Sequence, residues 1–314
     1  LIYKKRSNQK IYVLGAGAVG CYFGGMLARA HHDVTFIARP ERAAALNASG
    51  LELDCKAFHE TVKVRASSDL SILSDADLVL LSVKSLDTER TMADVKSILP
   101  SKAVILSVQN GIANIDIASK IVANPVYAAV VYVAAGMIGH RTMKHHGRGE
   151  LLIGNMKESA LGDEQNLKEI CKLFEAADVP CRISPQIKRD MWLKFLVNCS
   201  FNAISGIGQI SYGEMVKSPG IIKLIEEITR EFLAIAAFEN VNITLAEALA
   251  ANESIATTMV TQISSTAQDL SKGKMTEIDF LNGYIVELGK RYGVATPYNE
   301  SVHALVKMLE SQIK

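Results

Sequence analysis

Residues 11–20 read Ile11-Tyr12-Val13-Leu14-Gly15-Ala16-Gly17-Ala18-Val19-Gly20. An apolar, partly β-branched run breaks into three glycines, and Val19, Phe23, Met26, Leu27 and Ala30 then recur at helical core spacing. A strand feeding a G-x-G-x-x-G turn and then a helix is the unit that cradles a dinucleotide pyrophosphate. Gly15 permits the tight turn, Gly17 lets the backbone approach the phosphates, and Gly20 lets the helix close on the strand. Ala16, Ala18 and Val19 complete the loop, where backbone N–H groups and the helix N-terminus face negative charge.

Working outward, Val34–Ala38, Leu78–Val83, Ala103–Val108 and Val126–Val131 read as further buried strands separated by helical patterns. Shorter strands are expected at Val133–Met137, Arg141–His145 and Glu150–Ile153, then a helix over Glu164–Ala177 and a last strand at Val179–Ile183. From Pro185 the pattern is helical almost to Lys314, with Gly206, Gly208, Gly220, Gly273 and Gly293 as punctuation. The expected class is α/β: an N-terminal Rossmann-type doubly wound parallel sheet over 1–184 and an all-α C-terminal domain over 185–314. A length of 314 residues suits two domains of roughly 150 each and the cleft that two domains can form.

The composition excludes several classes. Lys+Arg 34 against Asp+Glu 33 leaves a net charge of +1, so no bulk basicity serves nucleic acid, and 49% hydrophobic with 21% charged residues is not a disordered composition. Val126 to Gly139 is the longest kind of apolar stretch and falls short of the roughly 18 residues of a membrane helix. Cys21, Cys55, Cys171, Cys181 and Cys199 are odd in number and lack CxxC or Cys/His metal spacing, which fits a reducing cytoplasm and no metal site. No apolar h-region follows the basic residues of Leu1–Gln9, so no secretory signal is expected there.

The second strand runs into Arg39, at a position where an acidic residue would accept from a ribose 2′-hydroxyl. A guanidinium there suits a 2′-phosphate, which favours NADP(H) over NAD; the alternative is a solvated arginine before a helix begun by Pro40. Lys84 and Asn110 follow two other strands at the same carboxyl edge, where ligands of open parallel sheets bind. Each also has a plainer reading, an exposed lysine and a turn former beside Gly111. In the second half, Lys194, Asn198 and Asn202 recur at i, i+4 and i+8 along an otherwise apolar helix. Such a stripe faces a wet cleft, where a partly desolvated lysine suits proton donation to a developing alkoxide, or it belongs to an amphipathic helix with a snorkelling lysine. Thr276-Glu277-Ile278-Asp279 reads as the opening of another helix with a capping arrangement, and Ser264-Ser265 as the end region of an earlier one.

Taken together, the chain resembles the ketopantoate reductases, or 2-dehydropantoate 2-reductases, over nearly its whole length. The matching blocks are Gly15–Gly20, Arg39, Val83-Lys84, Gln109-Asn110-Gly111, Gly147-Arg148-Gly149-Glu150 through Gly154, Trp192-Leu193-Lys194 with Asn198 and Asn202, Ser264-Ser265 with Gln268-Asp269, and Thr276-Glu277-Ile278-Asp279 with Asn282-Gly283. The resemblance implies NADPH-dependent reduction of 2-dehydropantoate to (R)-pantoate, on the way to pantothenate and coenzyme A. By motif match it implies Lys194 as general acid and Glu277 on the substrate hydroxyl and orienting Lys194. Asn198, Asn202 and Ser265 would hold the substrate, and Lys84 and Asn110 would line its junction with the cofactor. Two positions depart: Asn202-Ala203 stands where Asn-Pro is frequent, and Tyr212-Gly213 where Asn-Gly is frequent. Reduction of another branched 2-oxo acid, and NADPH sensing without turnover, are the competing readings. The expected partner is thus a small 2-oxo acid, with no nucleic acid and no membrane; a homodimer is left open.

Overall fold

The computed structural model describes residues 9–156 and 163–313, so the reading made on Leu1–Gln9 lies almost wholly outside the described residues. The chain divides into two compact units, one of residues 1–110 and 114–187, the other of 111–113 and 188–314.

The first unit opens with β1 (Lys10–Leu14), α1 (Ala18–Arg29), β2 (Asp33–Ile37) and α2 (Pro40–Ser49), the strand–loop–helix–strand unit expected from the glycines. Then come β3 (Leu51–Asp54), β4 (His59–Val62), β5 (Arg65–Ser67), β6 (Leu78–Leu81), α3 (Thr88–Val95), β7 (Val104–Ser107), α4 (Ala113–Ile121), β8 (Val126–Ile138), β9 (Thr142–Gly154), α5 (Asp163–Glu175) and β10 (Cys181–Ile183). In the sheet, β5-β2-β1-β6-β7-β8 lie side by side and parallel. Its far side is completed by β9, antiparallel to β8, and by the β3–β4 hairpin. The sheet is therefore mixed, mostly parallel, and ends at Ile183 with β10 on β9.

Four expected short strands prove to be two long ones, β8 and β9, because the interruptions, Tyr132 in β8 and Gly147-Arg148-Gly149 in β9, are absorbed as bulges. The pairing shifts register at Tyr132/Val133 and again at Ala134/Ala135. Opposite, Gly147 (φ 149°), Arg148 (φ 59°) and Gly149 (φ 144°) carry three consecutive positive φ values. Glu150 fastens this kink by accepting from the Gly149 N–H at 3.0 Å and from Arg148 Nε at 2.8 Å, while the Arg148 guanidinium lies 4.2 Å over the Tyr132 ring. The Gly-Arg-Gly-Glu block is thus a packing device. A Cβ on Gly149 would fall 2.8 Å from Cζ of Tyr22, a buried α1 residue.

The second unit is helical: α6 (Ile187–Gly208), α7 (Tyr212–Met215), α8 (Pro219–Phe238), α9 (Leu245–Thr258), α10 (Ser265–Ser271), α11 (Asn282–Tyr292) and α12 (Pro297–Glu310). Its core gathers on Trp192, Phe195 and Phe232, whose rings meet edge-on with centroids 5.2 to 5.9 Å apart. Among the described residues, no helix is long and apolar enough to cross a membrane, and no cluster of three His, Cys, Asp or Glu could hold a metal. All five cysteines are buried and free.

Gly149→Ala should destabilise the sheet unit by about 2–4 kcal/mol, since a Cβ meets both Tyr22 and an unfavourable φ. Tyr22→Phe in that background should recover part of the loss, read by calorimetric unfolding. A single variant that melts with wild type would show that the kink relaxes freely.

Candidate functional site

The three glycines of the loop perform separate steric tasks. Gly15 sits at φ 110°, and a Cβ there would lie 2.6 Å from the Val83 nitrogen. Gly20 has no room for a Cβ either, with Val13 Cγ1 2.9 Å from the position it would take. Gly17, the N-cap of α1, has nothing within 4 Å of that position, so its backbone stands open on that side. α1 has neither a side-chain cap nor an acidic residue in its first turn, which leaves its N-terminal N–H groups and positive dipole end for an anion. These features fit a dinucleotide pyrophosphate, with Gly15, Ala16, Gly17, Ala18, Val19 and Gly20 as the residues that would hold it.

One contributor was not singled out from sequence. Arg42 Nη1 donates to the Ala16 carbonyl at 2.8 Å and Nη2 to the Gly139 carbonyl at 3.3 Å, tying the glycine loop to the tip of the β8–β9 hairpin. A trans peptide points its N–H opposite its C=O, so Arg42 also orients the Gly17 N–H. Its position three residues after Arg39, on the same helical face, was the available signal. Arg39 itself is exposed at the N-cap of α2, followed by Pro40 at the first helical position as expected. Its side chain makes no hydrogen bond or ion pair to any described residue. Lys84 is exposed at the N-cap of a short 3-10 turn after β6, and Asn110 is half-buried after β7.

In the helical unit the polar stripe divides. Lys194 and Asn198 are half-buried, whereas Asn202 is 4% exposed. At 100° per residue, eight positions along a helix turn a side chain by about 80° relative to the first, enough to carry Asn202 from the flank into the core. There its Oδ1 accepts from the Tyr212 hydroxyl at 3.3 Å and its carbonyl from Ser264 Oγ at 3.1 Å. Ser264 is the buried N-cap of α10, accepting from the Ala267 N–H, and Ser265 is exposed in the first turn. Burial pushes the Tyr212 hydroxyl well above its ordinary pKa, so it stays a donor.

Thr276–Asp279 does not open a long helix. Glu277 precedes a 3-10 turn, Ile278–Phe280, fixed on both sides of it. Thr276 donates its N–H and its hydroxyl to buried Glu310 Oε1 at 2.8 and 2.7 Å, and Lys307 Nζ lies 2.7 Å from Glu310 Oε2. Asp279 meets His303 at 2.6 Å and Lys307 at 2.8 Å. Burial pushes the Asp279 carboxyl up, and the Lys307 and His303 hydrogen bonds more than offset it, leaving its pKa below the ordinary value. Glu277 is half-buried between these anchors. A cavity of about 400 Å³ lies elsewhere, on Lys10, Tyr12, Asp33, Thr35 and Arg65 toward the amino ends of their strands, away from the glycine loop.

Fold and loop define the chain as a dinucleotide-binding protein of the Rossmann type. Residues 11–158 match the family described as Ketopantoate reductase PanE/ApbA, and residues 186–310 its C-terminal part. A 2-dehydropantoate 2-reductase of Pyrococcus horikoshii is 30% identical over 303 residues, 96% of this chain and 98% of the relative. A solved PanE/ApbA family ketopantoate reductase of Ralstonia eutropha is 43% identical, with a TM-score of 0.90 over 97% of this chain and 99% of the other. A D-mandelate dehydrogenase solved with NADH and anilino(oxo)acetate is 28% identical, also with a TM-score of 0.90, over 97% and 99%. The chain belongs to the ketopantoate reductase family, oxidoreductases acting on 2-oxo acids.

Gly17→Ala should leave the melting temperature within about 2 °C of wild type yet weaken dinucleotide binding at least about tenfold, because the added methyl meets only the ligand's side. Gly20→Ala should instead lower the melting temperature. Calorimetry beside a fluorescence titration with NADPH separates the two; equal losses of stability would refute the division of tasks.

Proposed function

We propose that this protein reduces 2-dehydropantoate to (R)-pantoate with NADPH, a step toward pantothenate and coenzyme A. The observation that carries the reading is the half-buried Lys194–Asn198 pair, one turn apart on a helix whose other faces are core, in a chain matched end to end by 2-dehydropantoate 2-reductases. When bound, the dihydronicotinamide supplies a hydride to the carbonyl carbon. Lys194 stabilises the charge that grows on the carbonyl oxygen and then gives that oxygen its proton. Glu277, fixed by its neighbours' bonds to Glu310, His303 and Lys307, binds the substrate hydroxyl and orients Lys194. Asn198 and Ser265 hold the substrate, and buried Asn202, bonded to Tyr212, backs that site from the core. Lys84 and Asn110 line the cofactor's ribose and nicotinamide end. Arg39 grips the 2′-phosphate with charge-assisted hydrogen bonds, which selects NADPH.

A second reading keeps the chemistry and changes the acid. Tyr212 and Ala203 stand at positions where the family's usual residues differ, and the likeness to a D-mandelate dehydrogenase brings in a 2-oxo acid with a bulky substituent. NADPH oxidation with 2-dehydropantoate, 2-oxoisovalerate and an aryl-substituted 2-oxo acid decides. A dominant kcat/KM for 2-dehydropantoate is expected, and a large preference for either of the others replaces it. Lys194→Ala should cost about 10²–10⁴ in kcat with NADPH binding retained, as loss of a general acid does.

Arg39→Asp should weaken NADPH binding about 10–100-fold more than NADH binding, the worth of one or two charge-assisted bonds. Parallel titrations with the two cofactors measure it; equal losses would remove Arg39 from the 2′-phosphate.

A further inference from the structure

A chain of buried polar side chains joins the loop that carries Lys84 to the loop that carries Asn110. Gln109 Nε2 donates to the Val83 carbonyl at 2.9 Å and to Thr88 Oγ1 at 2.7 Å. Thr88 Oγ1 donates to Asn114 Oδ1 at 2.9 Å. Asn114 Nδ2 donates to the Asn110 carbonyl at 2.7 Å and to Ser85 Oγ at 3.0 Å. Ser107 Oγ closes the far end by donating to Gln109 Oε1 at 3.0 Å. Thr88, Asn114, Ser85, Ser107 and Gln109 are all 6% exposed or less.

The direction of the chain's central bonds is determined. A backbone carbonyl can only accept, so the Val83 carbonyl requires the nitrogen of the Gln109 amide and the Asn110 carbonyl requires the nitrogen of the Asn114 amide. Both amide orientations follow. The Thr88 hydroxyl is left with one role on each side, accepting from Gln109 and donating to Asn114. This arrangement satisfies the Gln109 amide, the Thr88 hydroxyl and the Asn114 amide together, and an unsatisfied buried polar group is costly, so the link resists separation of the two carbonyls. Those carbonyls belong to the residue before Lys84 and to Asn110 itself.

We propose that Thr88 is a positioning residue for the reduction, the link that fixes Lys84 against Asn110 at the ligand-binding edge of the sheet. This rests on the functional reading above, in which Lys84 and Asn110 line the junction of cofactor and substrate. Neither Thr88 nor Asn114 touches a reacting atom in that scheme; both act through the loops they hold. A valine would fill nearly the same space but leave Gln109 Nε2 and Asn114 Oδ1 without the hydroxyl between them, so the contribution of Thr88 is the link and not its volume.

Thr88→Val and Thr88→Ser test it. Thr88→Val keeps the volume and removes both hydroxyl bonds; Thr88→Ser keeps the hydroxyl. Amide hydrogen exchange is read first and needs no activity: exchange over residues 83–86 and 109–112 should rise at least about tenfold in Thr88→Val, stay near wild type in Thr88→Ser, and stay unchanged in β1 and β2 for both. With the best 2-oxo acid, kcat should fall about 10–100-fold in Thr88→Val with a smaller change in KM, as expected of a sub-ångström misplacement. The primary isotope effect from 4-deuterated NADPH should increase, and Thr88→Ser should restore both. Unchanged loop exchange, or loosened loops with unchanged kcat and isotope effect, overturns the proposal. If wild type reduces no 2-oxo acid, the functional reading fails by itself and the proposed role with it, while the exchange arm still reports whether the link holds the loops.

Discussion

Glycines let helix α1 settle close against the side chains of the sheet, and the cofactor half of the molecule depends on that contact. Gly20 and Gly24 are one turn apart on its inner face; a Cβ at either would fall 2.9 Å from a Val13 methyl or the Phe36 ring. Gly25 meets Leu51 and Leu53 just as closely at 2.8 Å. Because the helix can sink this far, its N-terminus opens directly at the carboxyl end of β1, beside Ser82, whose Oγ donates to the Gly15 carbonyl at 2.6 Å. The position of β1 makes this useful. It lies between β2 on one side and β6 on the other, the point at which the order of parallel strands reverses and a crevice forms beyond the strand ends.

Local pattern revealed the elements whose stabilising contacts are themselves local or periodic. The glycine loop, β1, β2, β6, β7 and the run of helices after Pro185 all announce themselves by spacing within a few residues. The β3–β4 hairpin and β5 do not. They are three to four residues long, β4 is mostly exposed, and they gain their identity from pairing with β9 and β2, which lie far away in the chain. The same reason hides the length of β8 and β9. A glycine pair reads locally as an interruption, and only the partner strand turns it into a bulge.

Site residues obey the same division. Lys194 and Asn198 were visible as a stripe, yet the burial of Asn202 depends on Tyr212 and Ser264, which arrive from α7 and from the residue before α10. Ser264 illustrates the ambiguity of a serine pair: the first hydroxyl is consumed in capping, so only the exposed second one is available to a ligand. Thr276 and Asp279 had the composition of a cap, but each found a longer-range partner on α12, Glu310 and the His303/Lys307 pair. Nothing in a window of four residues distinguishes a carboxylate that caps its own turn from one that bonds a helix 24 residues on.

Helix α6 shows how a mostly buried element can still present chemistry. Trp192, Phe195, Leu196, Cys199, Phe201 and Ala203 are essentially fully buried, so the helix is enclosed around most of its circumference. Leu193, Lys194, Val197 and Asn198 are the adjoining half-buried residues, a single opening of about one turn. Burying an ammonium outright would cost several kcal/mol, a penalty that a half-buried amine beside two aliphatic side chains escapes. The opening therefore sets two aliphatic side chains, Leu193 and Val197, beside two polar ones, Lys194 and Asn198.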